Sequence, residues 1–281
     1  MIAMSWQTTA PPRQAPPGIV GSGLASLPDV VAAEWLKLRT LRSTWAVWAA
    51  ATASSLLALL VLIIHVGSYD QAPPQERASF EGADPAVMVM PFVAFFIGVV
   101  GALAITTEFS TGSLGPSLAA VPRRWTLLAA KIVVVTCVAS ASGVLLAGLS
   151  QIVAILVLGD RPPPLNPWTN GWEAAASATG TAVTTLATGL VALGLGAVLR
   201  STTATVTAIG AFTVVLPSFA HFLPDALHLW VASMLIPNLA PQIVGADSAY
   251  LLSPPAAIAV LAFYVVVALG AGGLSLSRRD S

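Results

Sequence analysis

Residues 44–66 read TWAVWAAATASSLLALLVLIIHV and contain no Asp, Glu, Lys or Arg. A helix needs roughly 20 consecutive apolar residues to cross about 30 Å of hydrocarbon, and this stretch meets that length. The amphipathic helix of a soluble protein would instead place polar residues between apolar ones that recur at spacings of three and four. The stretch therefore predicts a membrane-spanning helix.

Five further stretches are almost wholly apolar: residues 85–107, 126–158, 172–199, 201–219 and 254–276. The chain is 56% hydrophobic and only 9% charged, with a mean hydropathy of +0.85. This composition leaves too little polarity to coat a globule that faces water. We therefore predict an all-α integral membrane protein with six transmembrane helices within residues 28–281. Residues 1–27 are rich in Pro, Gln, Ser, Thr and Gly, and we expect them to form a disordered cytoplasmic tail.

The basic residues indicate the orientation of the predicted spans. If the six spans alternate in direction, ten basic residues fall on one side and only Arg77 and Arg161 fall on the other. By the positive-inside rule the first side is the cytoplasm, so we expect both termini there, in a multi-pass protein of the plasma membrane. The ten residues are Arg13, Lys37, Arg39, Arg42, Arg123, Arg124, Lys131, Arg200, Arg278 and Arg279.

The sequence carries none of the familiar catalytic or metal-binding patterns. It has no Gly-x-x-x-x-Gly-Lys phosphate-binding loop, no His-Glu-x-x-His zinc pair and no nucleophile elbow. His221 and His228 would need further ligands to hold a metal. Ionisable residues lie at or near the span ends, whereas proton relays and ion sites place them at the membrane centre. We therefore expect no catalytic residue, cofactor, metal or nucleic-acid partner for the chain itself, and active transport would need an outside source of energy.

The residues before the first span predict a short amphipathic helix. Apolar side chains recur at spacings of four and three, at Val31, Trp35 and Leu38. Polar side chains lie between them and after them, at Glu34, Lys37, Arg39 and Arg42. This pattern suits a helix that lies in the inner interface of the membrane, with Glu34, Trp35, Lys37 and Arg39 as its interfacial residues. The alternative is a plain extension of the first span into the cytoplasm.

Residues 223–252 are too polar and too often interrupted by proline to form a span. Within them, residues 227–236 are apolar apart from His228 and Ser233. Such a segment can re-enter the outer leaflet as a broken hairpin, or it can lie on the surface as a loop helix. The pattern leaves both alternatives open.

The fourth span carries hydroxyl side chains, mostly at spacings of three and four, that form one small polar helix face. They are Ser177, Thr181, Thr184, Thr185 and Thr188. One interpretation is a face toward a substrate or toward a second copy of the chain. The other is ordinary close packing of helices, for which small residues are well suited.

The connection between the second and third spans is the most specific part of the sequence. Residues 105–131 read ITTEFSTGSLGPSLAAVPRRWTLLAAK. Leu114, Leu118 and Val121 place apolar side chains on one face of a short helix, and such a stripe can dock in a groove of a partner protein. Pro116 suits the first turn of a helix that begins near Ser117, so we expect a short docking surface.

This connection resembles the membrane subunits of the ABC type-2 exporter family. In that family a Glu ends the second span, a Thr-Gly follows, and a short helix leads to a Pro-Arg-Arg turn and a Lys in the third span. The matching positions are Glu108, Thr111, Gly112, Leu118, Val121, Pro122, Arg123, Arg124 and Lys131. Residues 34–39 (EWLKLR) and 199–202 (LRST) are also similar, so the resemblance covers the chain from about residue 28 to its end.

The resemblance implies that the short helix is a coupling helix that meets a separate ATP-binding-cassette ATPase subunit. The implied coupling residues are Glu108, Thr111, Gly112, Leu114, Leu118, Val121, Arg123 and Arg124. For Glu108 the alternative is a structural carboxylate that pairs with Arg123 or Lys131 at the span end.

The same resemblance implies the function of the chain. It would be the permease subunit of an exporter in which two copies, identical or paralogous, enclose the path, while the partner subunit binds ATP and Mg²⁺. An interior without ionisable side chains favours a lipophilic cargo. The alternatives are a membrane-embedded enzyme or channel, and a non-transporting membrane scaffold.

Overall fold

A computed structural model describes residues 26–121, 123–220, 222–246 and 248–278, and every regular element in these ranges is helical. The tail predicted for residues 1–27 falls almost wholly outside the described part, as do Arg13, Pro122, His221 and Arg279. The helices in chain order are α1 (Leu27–Thr40), α2 (Arg42–Gln71), α3 (Pro74–Arg77), α4 (Pro85–Met88), α5 (Met90–Thr111), α6 (Leu114–Ala120), α7 (Arg124–Leu158), α8 (Gly171–Leu199), α9 (Thr202–Gly210), α10 (Leu216–Ala220), α11 (Asp225–Met234), α12 (Leu239–Ile243) and α13 (Pro254–Arg278).

Six helices of the described chain are long and apolar enough to cross a membrane, which confirms the six predicted spans. They are α2, α5, α7, α8, the continuous run Thr202–Ala220 and α13. The second span begins at Met90, later than the predicted residue 85, because the Asp84 side chain accepts a hydrogen bond from the Ala86 amide and starts a separate short helix there. Pro91 then lies in the first turn of α5, where its missing amide proton costs no helical hydrogen bond.

Helix α1 is separate from the first span. The backbone of Leu41 is extended, with φ −70° and ψ 120°, so the helical run is interrupted between Thr40 and Arg42. Helix α1 is therefore not a continuous extension of the first span into the cytoplasm. Placement of α1 in a lipid interface stays a prediction, because it concerns the bilayer.

A π-helical turn, Ala211–Val215, interrupts the fifth span just before Pro217. A proline ring excludes the carbonyl oxygen four residues earlier and offers that oxygen no amide proton. For Pro217 the carbonyl is that of Thr213, inside the wider π-helical turn, which accommodates the proline without ending the span.

Helix α8 lies at the centre of the bundle and packs against α5, α7, α12 and α13. Glycines bring the backbones into direct contact: a Cβ atom built on Gly101 would lie 2.1 Å from the carbonyl oxygen of Gly189, and one on Gly194 would lie 2.4 Å from that of Ala268. Without a hydrophobic driving force between helices in lipid, such close packing is a main source of association. The glycines therefore set the distances between α8 and its neighbours.

Substitution of Gly101 by alanine is expected to destabilise the bundle. The added methyl has no room against the Gly189 carbonyl, so α5 and α8 must separate, at a cost of about 1–3 kcal/mol. Gly148 on α7 is the matched control, since a Cβ there meets nothing within 4 Å and alanine favours the helix. Thermal unfolding in nanodiscs, followed by tryptophan fluorescence, compares the two variants. Equal midpoints for both would contradict the packing argument.

The outer face of the bundle exposes large apolar side chains. On α2, Leu57 and Ile64 are at least 60% exposed, and on α7 and α13 so are Leu156 and Val266. A continuous apolar surface of this kind would aggregate in water, whereas it is the expected surface of a protein surrounded by lipid.

Residues 222–246 and 248–253 form two short helices and their connections rather than a span. Helix α12 packs on α8 and α13, and a 3-10 turn, Ile236–Asn238, precedes it. The buried Gln242 side chain ties the segment together, because it donates to the carbonyl of Ser233 at 3.0 Å and accepts from the Leu252 amide at 2.8 Å. Re-entry of this segment into the membrane stays a prediction.

Candidate functional site

Four charged side chains from three helices meet at the end of the bundle that holds α1 and α6. They are Glu34 and Lys37 of α1, Glu108 of α5 and Lys131 of α7, and we call them the charge cluster. We call this end of the bundle the α6 end. The cluster has two positive and two negative groups, so its formal charge is balanced.

Lys131 lies at the centre of the charge cluster and is only 2% exposed. Its ammonium group is within 2.6 Å of a Glu34 oxygen, 3.0 Å of a Glu108 oxygen and 2.8 Å of the Ala104 carbonyl. A lysine has three protons to donate, and three acceptors surround it. A buried charge is tolerated when it is paired and its hydrogen bonds are filled, which is the arrangement found for Lys131.

Lys37 extends the charge cluster to the short helix α6. Its ammonium group lies 2.6 Å from Glu34, 2.8 Å from Glu108 and 3.2 Å from the Ser117 hydroxyl. Burial of the ammonium acts to lower the pKa of Lys37, but the hydrogen bonds and charges of Glu108 and Glu34 outweigh it, so the pKa is raised. Lys37 therefore stays cationic and links α1, α5 and α6.

Glu108 is 4% exposed and uses only one carboxylate oxygen within the described structure. Oε1 contacts both lysines of the cluster, whereas Oε2 has no hydrogen-bond partner among the described residues. The predicted pairing of Glu108 with Lys131 is thus present, while no described contact joins Glu108 to Arg123. A buried carboxylate oxygen without a donor is costly, so the cluster has capacity for one further donor.

The orientation of α1 differs from the one expected from the sequence. Its buried positions are Val30, Glu34 and Leu38, spaced by four, whereas Trp35 is 46% exposed. Glu34, which was expected on the polar face of α1, is buried against the bundle instead, whereas the interfacial position of Trp35 stays a prediction. Glu34 faces the bundle because the Lys131 ammonium lies there. The ion pair offsets the desolvation cost of burying the Glu34 carboxylate.

Helix α6 begins at Leu114, three residues before the expected start near Ser117. Pro116 still lies in the first turn, where backbone amides have no intrahelical acceptor, and the first helical bond runs from the Ser117 amide to Ser113. Gly112 ends α5 in the left-handed conformation, φ 69°, which explains the Thr-Gly pair that precedes α6.

The apolar stripe of α6 faces the chain itself. Leu114 is buried in a core cluster with residues of α1, α5 and α7, and Leu118 and Val121 pack partly against the same cluster. The residues of this connection that are exposed on the surface are not those of the apolar stripe. They include Thr111, Gly112, Gly115, Pro116, Ala119 and Arg123. A partner at this surface would meet those residues before it met the leucines.

The connection after α8 joins the same end of the bundle. The Thr202 hydroxyl lies 2.8 Å from the Thr106 hydroxyl, and the Arg200 guanidinium lies 5.1 Å from the centre of the Phe109 ring. Arg124, at the start of α7, donates to the carbonyl of Leu276. Residues 34–39, 105–131 and 199–202 are far apart in sequence, and the fold brings all three stretches together at the α6 end.

The five hydroxyl residues predicted to form one face of α8 are all buried, whereas Thr179 on the same helix is exposed. Thr181, Thr184 and Thr188 donate to carbonyls of their own helix, and Thr185 has no hydrogen-bond partner among the described residues. Ser177 donates to Asp84 at 3.0 Å. This placement favours the packing interpretation, and a substrate-facing role for the five residues stays a prediction.

The described residues contain no group of three or more His, Cys, Asp or Glu side chains placed to hold a metal ion. His221 lies outside them. The described contacts at the α6 end are ion pairs, hydrogen bonds and packing between helices.

A family model described as ABC-2 family transporter protein matches residues 30–216. The chain belongs to the ABC-2 transporter family. The matched region includes α1 from residue 30 onward, the charge cluster, α6 and residues 199–202, but not the part of α13 that lies at the α6 end. Members of this family are transmembrane components without their own ATPase site, and they generally work with a separate ATP-binding subunit. No curated protein matches this ABC-2 chain.

Proposed function

We propose that the chain is the permease subunit of an ATP-binding-cassette exporter that moves a lipophilic substrate out of the cytoplasm. A separate nucleotide-binding subunit supplies the energy and binds ATP and Mg²⁺. The observation that carries the proposal is the charge cluster, because it connects α1, α5, α6 and α7 at one end of the bundle, where a separate ATPase could act on them.

The charge cluster offers a route by which force on α6 reaches the spans. Lys37 contacts Ser117 of α6 and Glu108 of α5, and Lys131 contacts Glu108 and Glu34. Buried ion pairs resist separation, since each isolated charge would be desolvated without a partner. A partner that moves α6 therefore moves the end of α5, and α5 packs along α8 at the centre of the bundle.

The orientation follows from the basic residues of the α6 end. Lys37, Arg39, Arg123, Arg124 and Arg200 all belong to this end, and basic residues favour the cytoplasmic side. The α6 end, with both termini, would thus face the cytoplasm of the plasma membrane and an ATPase there. A second permease copy, identical or paralogous, would complete the path.

Copurification tests the proposed function. The tagged chain is isolated from its native membranes, and the bound ATP-binding subunit is expressed together with it. We expect no ATP hydrolysis by the chain alone, hydrolysis by the complex in nanodiscs, and loss of hydrolysis when the phosphate-binding lysine of the partner is replaced. ATP hydrolysis by the chain alone, or substrate flux that needs no ATP, would instead favour the enzyme or channel alternatives.

A further inference from the structure

A cavity of about 470 Å³ lies at the end of the bundle opposite the charge cluster. It is bounded by the start of α5, by the π-helical turn of the fifth span and by the segment before α13. Its walls include Phe92, Pro217, Asn238 and Tyr250 together with one acidic side chain, Asp84. A pocket of this size that is mostly apolar and has few polar groups is the usual form of a small-molecule site.

Asp84 has hydrogen-bond donors but no countercharge in the described structure. Its carboxylate accepts from the Ala86 amide at 2.8 Å and from the Ser177 hydroxyl at 3.0 Å, and both donors are neutral. No basic side chain of the described ranges forms an ion pair with it. Burial raises the pKa of the Asp84 carboxyl, although the hydrogen bonds from Ala86 and Ser177 act in the opposite direction. A cation placed beside the carboxylate would stabilise its ionised form.

Asp70, an acidic residue near the same end, is arranged differently. Asp70 is exposed to solvent and forms a bidentate ion pair with Arg161. Arg161 Nε lies 2.9 Å from Asp70 Oδ1, and Arg161 Nη2 lies 2.7 Å from Oδ2. The charge of Asp70 is compensated within the chain. Asp84 lines a cavity, is largely buried and has no ion-pair partner among the described residues. The aromatic rings of Phe92 and Tyr250 in the same walls also favour cations.

We propose that this cavity binds a lipophilic organic cation, with the Asp84 carboxylate as its counter-ion and the apolar walls as the contact surface for its hydrocarbon part. As a substrate site the cavity rests on the proposed export function. As a binding site it does not, because binding is measured on the chain alone. The proposal narrows the lipophilic cargo to one carrying a positive charge.

The test uses the purified full chain in nanodiscs and two probes, the tetraphenylphosphonium cation and the neutral triphenylphosphine oxide. We expect saturable binding of the cation, and a loss of affinity of about tenfold or more in Asp84→Asn, since one buried charge pair is removed. The neutral probe is expected to bind both proteins equally, which reports an intact cavity. Asp70→Asn is the matched control and is expected to leave cation binding unchanged.

Ser177→Ala separates charge from structure, because it removes one donor to Asp84 and keeps the carboxylate. We expect this variant to retain cation binding within about threefold. Absence of saturable cation binding by the native chain, or equal affinity in Asp84→Asn with the neutral probe still bound, would overturn the proposal. Both results are measured on the chain without a partner ATPase. Failure of the cation site can therefore be distinguished from failure of the proposed export function.

Discussion

Replacement of Lys131 by methionine is expected to destabilise the chain by about 3–5 kcal/mol and to abolish ATPase activity coupled to transport. The change removes the central cation of the charge cluster and leaves Glu34 and Glu108 with only the half-exposed Lys37. Removal of one partner from a buried ion pair has this cost because the remaining charge stays desolvated. The midpoint of thermal unfolding in nanodiscs should fall by at least about 5 °C.

A second substitution tests the electrostatic cause. In the double variant Lys131→Met, Glu108→Gln the cluster is again balanced, since Glu34 and Lys37 remain as a pair 2.6 Å apart. We expect the double variant to recover part of the stability lost in the single variant. Arg39→Gln, an exposed change on the same helix, is the control for loss of a basic residue. If the double variant is no more stable than Lys131→Met, the loss of stability in the single variant comes from the shape of the methionine side chain and not from the missing charge.

Substitution of Gly115 by glutamate is expected to abolish coupled ATPase activity while the chain stays folded. Gly115 lies on the outward surface of α6, and a Cβ atom there meets nothing within 4 Å. Glutamate also favours the first turn of a helix, through both its propensity and its charge. A carboxylate within the surface that the partner is proposed to cover should weaken binding of the partner by about 2 kcal/mol or more, which is roughly thirtyfold.

The control for Gly115→Glu is Ser277→Glu, which adds the same charge at an exposed position at the end of α13. Copurification of the ATP-binding subunit and ATP hydrolysis are measured for both, with the unfolding midpoint as a check of the fold. Gly115→Glu is a sharper test than Leu118→Asp, because Leu118 packs against the core of its own chain. Normal partner binding by a folded Gly115→Glu would remove α6 from the proposed interface.

The six spans could be predicted because each is a local property of the sequence. An apolar run longer than the membrane is thick satisfies its own backbone as a helix and needs no partner to be stable in lipid. The largest differences are the end of the first span, at Gln71 and not 66, and the two ends of the second span, at Met90 and Thr111 and not 85 and 107. The start of the second span moved because the Asp84 cap and Pro91 act within one turn, below the scale that hydropathy reports.

The charge cluster could be predicted only in part. Glu108 and Lys131 were visible as ionisable residues at span ends, and their pairing was one of the alternatives. Glu34 was assigned to the polar face of α1, although its spacing of four from both Val30 and Leu38 was a signal for the buried face. That signal is ambiguous in one sequence, because burial of a carboxylate is favourable only when another helix supplies the cation.

Sequence alone determined the class of this protein: an all-helical membrane chain with six spans and no recognised motif for ATP hydrolysis, whose most specific residues lie in 105–131. Tertiary structure decided which side chains act together. It turned Glu34 inward to meet Lys131, turned the stripe of Leu114 and Leu118 toward the core, and placed Asp84 in the wall of a cavity. The physical reason is that the membrane selects each span by its own hydrophobicity, whereas ion pairs and close packing depend on how neighbouring helices rotate against one another.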